Sequence, residues 1–334
     1  MMMKMKLRKK ERIRTAPQYL FISFSLDRKK ETLLVAGKSR KVSEYVYYTI
    51  INITATERVI QVSIQYEDNQ ITVFQSALLQ TTSTVAVTKD IILIVDPTWL
   101  PAEIEAIQQH VKEKDNGQRQ YVLFTHSDFD HILGWNAFPE AVTIASRGFV
   151  AKSDKKETIQ EIQDFDDYYY IQRPYIIDYP DIDIIIDYDE QTIECNNTSI
   201  MFYLAPGHQP DGVFAVIQET NTLIAGDYLS DVEFPFIHHN SEAYERTIDK
   251  LENVISEKNI HLLIPGHGHS TNDVKEMQDR IGDSRWYIQA LRDEIRQGVT
   301  YDVLQVFVDS FLFARYLGEE HEHNKQQIQA EEKR

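Results

Sequence analysis

The sequence predicts an α/β fold with a small β-rich N-terminal extension and C-terminal helices. Three observations carry that prediction. From about residue 70 onward, short apolar runs alternate with longer stretches of helical periodicity. The 334 residues are 42% hydrophobic, enough to bury the core of one large domain with a small appendage. Side chains of metal-ligand type recur just beyond the ends of the apolar runs, where a rigid sheet can hold functional groups in the open.

Residues 1–15 read as a basic disordered tail, because 4–14 hold seven Lys or Arg and one Glu. Residues 16–69 form the β-rich extension, with strands expected at 19–26, 32–35, 45–53 and 59–66, rich in Val, Ile, Tyr, Phe and Thr. The main domain spans 70–280. A buried strand at 91–95 stops at Asp96-Pro97, and Pro101 then opens a helix to about Lys114, with Glu103 and Glu105 in its first turn. Further strands are expected at 121–125, 182–186, 192–195, 199–204, 213–218, 222–225 and 260–264. Ser241 is the expected cap of a helix to about Glu257, and Thr271 of a longer one to Gln297 with Gly298 as its stop. Residues 281–318 complete the C-terminal helices, the last at 301–317, and 319–334 read as a frayed polar tail. The helix at 301–317 can pack on the core or on a second copy in a homodimer.

Composition narrows the function. A net charge of −17 repels phosphate backbones, so no nucleic-acid partner is expected. A single cysteine, Cys195, permits no intrachain disulfide and suits a reducing compartment. No run of about 18 apolar residues and no secretory h-region stand out, so a cytoplasmic protein without a membrane partner is expected.

The chemistry is concentrated in Thr125-His126-Ser127-Asp128-Phe129-Asp130-His131, where four ligand-type side chains fall within six residues directly after a strand. In an extended loop, positions i, i+2 and i+4 share a side, so His126, Asp128 and Asp130 can converge. Imidazole with carboxylate suits zinc, iron or manganese. The alternative is a polar loop without metal. Three later sites favour the metal: Pro206-Gly207-His208, Gly226-Asp227 and Pro265-Gly266-His267-Gly268 each set one ligand-type residue beside glycine after a strand.

In these motifs the chain resembles the metallo-β-lactamase superfamily, over about residues 70–270. His126, Asp130 and His131 match three positions of the family's HxHxDH motif; His208, Asp227 and His267 match its later ligands. The resemblance implies an αββα sandwich with a binuclear site at one edge. One metal ion would be held by His126, Asp128 and His208, the other by Asp130, His131 and His267, with Asp227 bridging. It further implies two divalent cations, zinc first, and a metal-activated water attacking a small ester, thioester, lactone or phosphodiester, with Asp130 orienting the nucleophile. The departure is Asp128, which turns the motif into HxDxDH. A carboxylate there favours iron or manganese. The flavodiiron branch carries a carboxylate at this place, so an iron redox protein acting on oxygen, nitric oxide or a persulfide is the alternative. The lack of a flavodoxin-like segment opposes it.

Around this core, Tyr228 is a candidate catalytic residue, and His238 and His239 are candidate substrate contacts. His269 is placed near the site without being a ligand. His110, His261, His321 and His323 are expected outside it. Residues 138–175 and 228–244 are the expected substrate-facing segments, with 163–175 as a lid. The partner expected is a small-molecule substrate.

Overall fold

A computed structural model describes residues 20–27, 30–36, 48–53, 63–311 and 314–333. The chain divides into two compact units, Met1–Val59 and Ile60–Arg334. The expected basic tail at 1–15 lies outside the described residues. In the first unit, β1 (Leu20–Asp27), β2 (Lys30–Ala36) and β3 (Tyr48–Ile53) form an antiparallel sheet in that order. The fourth strand expected there belongs to the second unit. As β4 (Ser63–Glu67) it pairs antiparallel with β5 (Ile71–Gln75), across a turn in which Asp68 Oδ1 accepts from Gln70 N and Ile71 N. The two compact units meet in sequence at 59/60, so β4 belongs with β5 in the second.

The second unit holds two sheets. The first continues through β6 (Thr82–Val87), β7 (Ile91–Val95), β8 (Arg119–Leu123), β9 (Val142–Ser146) and β10 (Ile184–Ile186), in the order β10-β9-β8-β7-β6-β5-β4. The second is β11 (Gln191–Cys195), β12 (Thr198–Leu204), β13 (Val213–Ile217), β14 (Thr222–Gly226) and β15 (Leu262–Pro265), in sequential order. β7 is buried on both faces and runs parallel to β8, which explains its unbroken Ile-Ile-Leu-Ile-Val sequence.

Helices cover both outer faces. On the first sheet lie α1 (Pro101–Lys114), α2 (Phe129–Ile132), α3 (Arg147–Ala151) and α4 (Lys155–Tyr169); on the second lie α5 (Ser241–Glu257), α6 (Val274–Gln297), α7 (Asp302–Asp309) and α8 (Ala314–Glu331). Three apolar layers result. Val73, Leu93 and Leu123 meet Phe202, Ala215 and Ile264 between the sheets. Ile92, Ile94 and Val122 meet Ile104 and Ile107 on one side, and Leu223 and Leu263 meet Ile248, Ile281 and Leu291 on the other. Each of these side chains larger than alanine contributes roughly 1.5–3 kcal/mol relative to exposure. This is the αββα arrangement.

Several local expectations shift. Asn240 rather than Ser241 caps α5, accepting from Ala243 N, because Ser241 is already helical and bonds Glu331. Asp273 rather than Thr271 caps α6, because the Thr271 hydroxyl turns to Glu276. The helix expected at 301–317 is α7 followed by α8, and the tail expected to fray is helical to Glu331. Its buried stripe is Leu317, His321, Asn324 and Ile328 at helical spacing; two of the four are polar, so hydrophobic periodicity does not reveal it. No helix among the described residues is long and apolar enough to cross a membrane.

Candidate metal centre

The loops after β8, β12, β14 and β15 open at one edge of the two sheets, and all seven expected ligand-type side chains meet there. They fall into two groups, His126–Asp128–His208–Asp227 and Asp130–His131–His267, with ligand atoms in each group within 4.8 Å of one another. Asp227 stands between the groups. Its Oδ2 lies 3.4 Å from His126 Nε2, 3.3 Å from His208 Nε2 and 3.4 Å from His267 Nε2, while Oδ1 lies 3.2 Å from His131 Nε2. Gly266 makes room for this carboxylate, since a Cβ at 266 would lie 2.0 Å from Asp227 Oδ1. Asp128 Oδ2 lies 3.1 Å from His208 Nε2 and 3.4 Å from His126 Nε2. Asp130 Oδ2 lies 3.4 Å from His267 Nε2 and 3.6 Å from His131 Nε2.

The outer ring nitrogens decide what the inner ones present. His208 Nδ1 faces the Phe236 carbonyl at 2.9 Å and His267 Nδ1 the Leu79 carbonyl at 3.0 Å; a carbonyl only accepts, so each Nδ1 carries a proton. His131 Nδ1 faces the Asp96 carboxylate at 3.0 Å. His126 Nδ1 faces Thr125 Oγ1 at 3.1 Å, whose own proton goes to Asp96 Oδ2 at 2.6 Å. Neutral, all four rings therefore aim Nε2 lone pairs inward, the tautomer metal-binding imidazoles use. His131 Nε2 and His267 Nε2 are only 3.3 Å apart. Buried His126 Nε2 and Asp227 Oδ1 have no hydrogen-bond partner. Atoms left that way cost about 1–3 kcal/mol each unless a cation satisfies them, so the donor set fits two metal ions.

The electrostatics agree. Burial alone would lower His126, His131 and His208, yet neighbouring carboxylates hold His126 above its ordinary value and the other two well above it. His267, depressed by burial but facing Glu233 and Asp227, is pushed up to about 10. Asp128 and Asp227, which burial would raise, are held well below the carboxylate range by the histidines. The site is a sink for positive charge, which protons fill when metal does not.

Two participants carried no clear signal in the sequence. Asp96, read there as a strand stop, accepts from His131 Nδ1, Thr125 N and Thr125 Oγ1, and so orients two of the imidazoles. It does so at φ 44°, a conformation costly for a residue with a Cβ. Its place just after an apolar strand, as at the other sites, is the one signal that could have found it. Glu233 sits 3.8 Å from His267 Nδ1 and is pushed up to about 7, chiefly by burial. As a lone Glu in an irregular segment it had no signature.

The peripheral candidates fare differently. Tyr228 is buried, and its hydroxyl accepts from His208 N and donates to the Ala205 carbonyl, both at 3.0 Å. It braces the His208 loop and does not line the adjoining cavity. His238 does line it, with Nε2 2.9 Å from Glu320 on α8. His239 is exposed and outside the lining, its carbonyl accepting from Gln327. His269 pairs at the surface with Asp231. His261 precedes β15 rather than lying in it. His321 and His323, expected outside the site, do not line the cavity; His321 Nδ1 lies 2.9 Å from the Tyr287 hydroxyl, and the His323 ring lies 4.9 Å from that of His238.

The cavity has a volume of about 520 Å³. Leu78, Leu79, Phe129 and Phe236 wall it, and Phe165 and Tyr169 of α4 reach it from the segment expected to form a lid. Asn324 of α8 holds the Phe236 side in place: its Nδ2 donates to the Pro235 carbonyl at 2.6 Å and its Oδ1 accepts from Ile237 N at 2.7 Å. The Phe236 carbonyl between them is the acceptor for His208 Nδ1.

The family model of the metallo-beta-lactamase superfamily matches residues 77–275, more than half of the chain. The chain belongs to the metallo-beta-lactamase superfamily. Solved structures agree on the fold. A metallo-beta-lactamase family protein from Thermus thermophilus is 16% identical, with a TM-score of 0.53 over 75% of this chain and 91% of that one. A stereoselective inverting sec-alkylsulfatase from Pseudomonas sp. is 11% identical, with a TM-score of 0.53 over 69% of this chain and 44% of that one. No curated protein matches the sequence. Within the superfamily, this centre is an HxDxDH variant whose seven ligand-type residues all face one site.

Proposed function

We propose that the protein is a metal-dependent hydrolase acting on a small ester, thioester, lactone or phosphodiester. The observation that carries this reading is the convergence of four Nε2 lone pairs on the Asp227 carboxylate. His126, Asp128 and His208 would hold one divalent cation, and Asp130, His131 and His267 the other, with Asp227 reaching both. Such cations supply a nucleophile at neutral pH, by lowering the pKa of bound water, and a Lewis acid for the scissile group. Asp96 and Thr125 fix the rings of His131 and His126, and the carbonyls of Phe236 and Leu79 fix those of His208 and His267. Asp130, hydrogen-bonded through Oδ2 to the Thr81 hydroxyl at 3.2 Å, orients the attacking water and relays its proton. The cavity takes the substrate. No nucleic-acid partner belongs to this reading, given the acidic chain, and the setting is a reducing cytoplasm.

Elemental analysis of the purified protein, alongside hydrolysis of an ester, thioester, lactone and phosphodiester panel, is the test. About two zinc or manganese ions per chain with turnover of a panel member are expected, zinc first. Asp227→Ala should lose metal and turnover together while circular dichroism stays unchanged. A protein that takes up no metal after reconstitution would sink the proposal. One observation favours a second reading: Asp128 places a hard carboxylate in the first group, which suits iron. Two iron ions per chain, with consumption of oxygen or nitric oxide and no hydrolysis, would put redox chemistry ahead.

A further inference from the structure

We infer that the cavity beside the metal centre selects an uncharged substrate carrying an apolar chain or ring, and turns away anionic substrates. The position of the reacting group rests on the hydrolase reading above; the selectivity rests on the cavity walls.

The first observation is the apolar wall. Leu78 and Leu79 come from the β5–β6 loop, Phe129 from α2, Phe165 from α4 and Phe236 from the segment before α5. Five such side chains from four parts of the chain face one space. They are held in place before any ligand arrives. Trp99 is fully buried and anchored through Nε1 to Thr81 Oγ1 at 2.8 Å. Phe129 stands edge-on to it at 5.3 Å and Phe165 tilts against it at 4.7 Å. Tyr169 extends the row, 4.7 Å from Phe165. An ordered apolar surface of this kind binds a chain or ring with little reorganisation.

The second observation is charge. Five carboxylates line the cavity, Asp128, Asp130, Asp227, Glu161 and Glu233, and no Lys or Arg does. Two divalent cations offset the first three. Glu161 and Glu233 add two further carboxylates that no Lys or Arg of the lining faces; of these, Glu233 lies 3.8 Å from His267 Nδ1. Two cations outside the lining pair with other carboxylates: Arg173 binds both oxygens of Asp166 and the Trp99 carbonyl, and Lys152, whose charge also reaches Glu161, pairs with Asp154 at 3.5 Å. A site built for a phosphodiester, sulfate or carboxylate surrounds the anion with such groups. Here an anion would meet like charge inside a partly desolvated cleft.

Two dyes with the same ring system separate these effects. N-phenyl-1-naphthylamine is neutral, and 8-anilino-1-naphthalenesulfonate adds one sulfonate. On the full-length, metal-loaded protein, fluorescence titration should give the neutral dye roughly tenfold tighter binding or better, the scale of one like-charge contact in a cleft. Phe165→Ala should weaken the neutral dye several-fold, and Phe165→Leu should restore most of it. Glu161→Lys, at an exposed position on α4, should tighten the sulfonated dye and leave the neutral one in place. Equal or tighter binding of the sulfonated dye, or a neutral-dye Kd unmoved by Phe165→Ala, would overturn the inference. In parallel, hydrolysis of p-nitrophenyl butyrate is compared with that of bis-p-nitrophenyl phosphate. Preference for the phosphate counts against the inference while leaving the hydrolase reading standing. Turnover of neither, with the dye preference intact, counts against the hydrolase reading alone.

Discussion

Asp96 and Tyr228 show the two ways one residue acts on this site without touching substrate. Asp96 accepts from His131 Nδ1 and takes the Thr125 proton, so it sets the direction of two imidazoles at once. Its left-handed backbone, φ 44°, is a strain the fold retains because the carboxylate has to reach both partners. Supporting carboxylates of this kind are typically worth about 10–100-fold in metal affinity or activity. Asp96→Ala should therefore weaken metal binding by about that factor, read by competition with a chromogenic chelator, with all seven ligand-type residues still present. Unchanged affinity would reduce Asp96 to a strand terminator, as the sequence first suggested. Tyr228 works on backbone instead. Its hydroxyl is the acceptor for His208 N and the donor to the Ala205 carbonyl, so Tyr228→Phe leaves both buried groups unpaired, at about 1–3 kcal/mol. The expected result is a lower Tm with metal content retained and kcat close to that of the parent. A collapse of kcat at unchanged Tm would restore Tyr228 to the catalytic role first expected of it.

At the scale of elements, α8 is the part of the molecule that sequence patterning concealed. Its buried stripe is half polar, and one polar member, Asn324, holds the backbone that orients a ligand-type histidine, while His321 bonds the Tyr287 hydroxyl. Asn324 grips the backbone on both sides of Phe236, whose carbonyl orients His208; Glu320 bonds His238; Glu331 bonds the start of α5. Asn324→Ala should loosen that carbonyl. Chelator competition should show weaker binding of about one ion, in the group containing His208, while the His131–His267 group keeps its own. Equal retention of both ions would make α8 only a cover for the core. Strands such as β7 and helices such as α1 were legible because uniform burial writes an unbroken apolar run and because a proline with acidic neighbours marks a helix start. The ligand set was legible because each member follows a strand and three stand beside glycine. Asp96, Glu233 and Asn324 were not, because a buried polar residue is specified by partners distant in sequence: 35 positions separate Asp96 from His131, and 87 separate Asn324 from Ile237. Caps moved by one or two residues for the same reason, as Ser241 and Thr271 found partners elsewhere.

For the whole molecule, the layered αββα core and the acidic centre pull on stability in different ways, and pH separates them. The three apolar layers carry no titrating dependence of their own. The centre does. Without metal, His126, His131, His208 and His267 bind protons more tightly in the folded chain than in the unfolded one, despite burial, because Asp128, Asp130, Asp227 and Glu233 face them. That contribution is complete below the unfolded histidine value of about 6.5. It is lost as pH rises through the folded values, which reach about 10 at His267. Asp128 and Asp227 are shifted down by the same pairing, so their contribution is present above the ordinary carboxylate range and lost only in stronger acid. Metal-free protein should therefore be most stable in mildly acidic solution and weaken from neutral to alkaline pH. Metal ions need the same Nε2 lone pairs that the protons occupy, so their affinity rises over that range, and binding to the folded state alone adds stability as affinity grows. The gap in Tm between metal-loaded and metal-free protein should widen steadily from about pH 6 to pH 9, a window set by the raised histidine values. Thermal melts of both forms in one buffer series measure it. A gap that stops widening near pH 7 would mean that the histidines titrate as they do in an unfolded chain, near 6.5, and that the carboxylates around them do not gather positive charge.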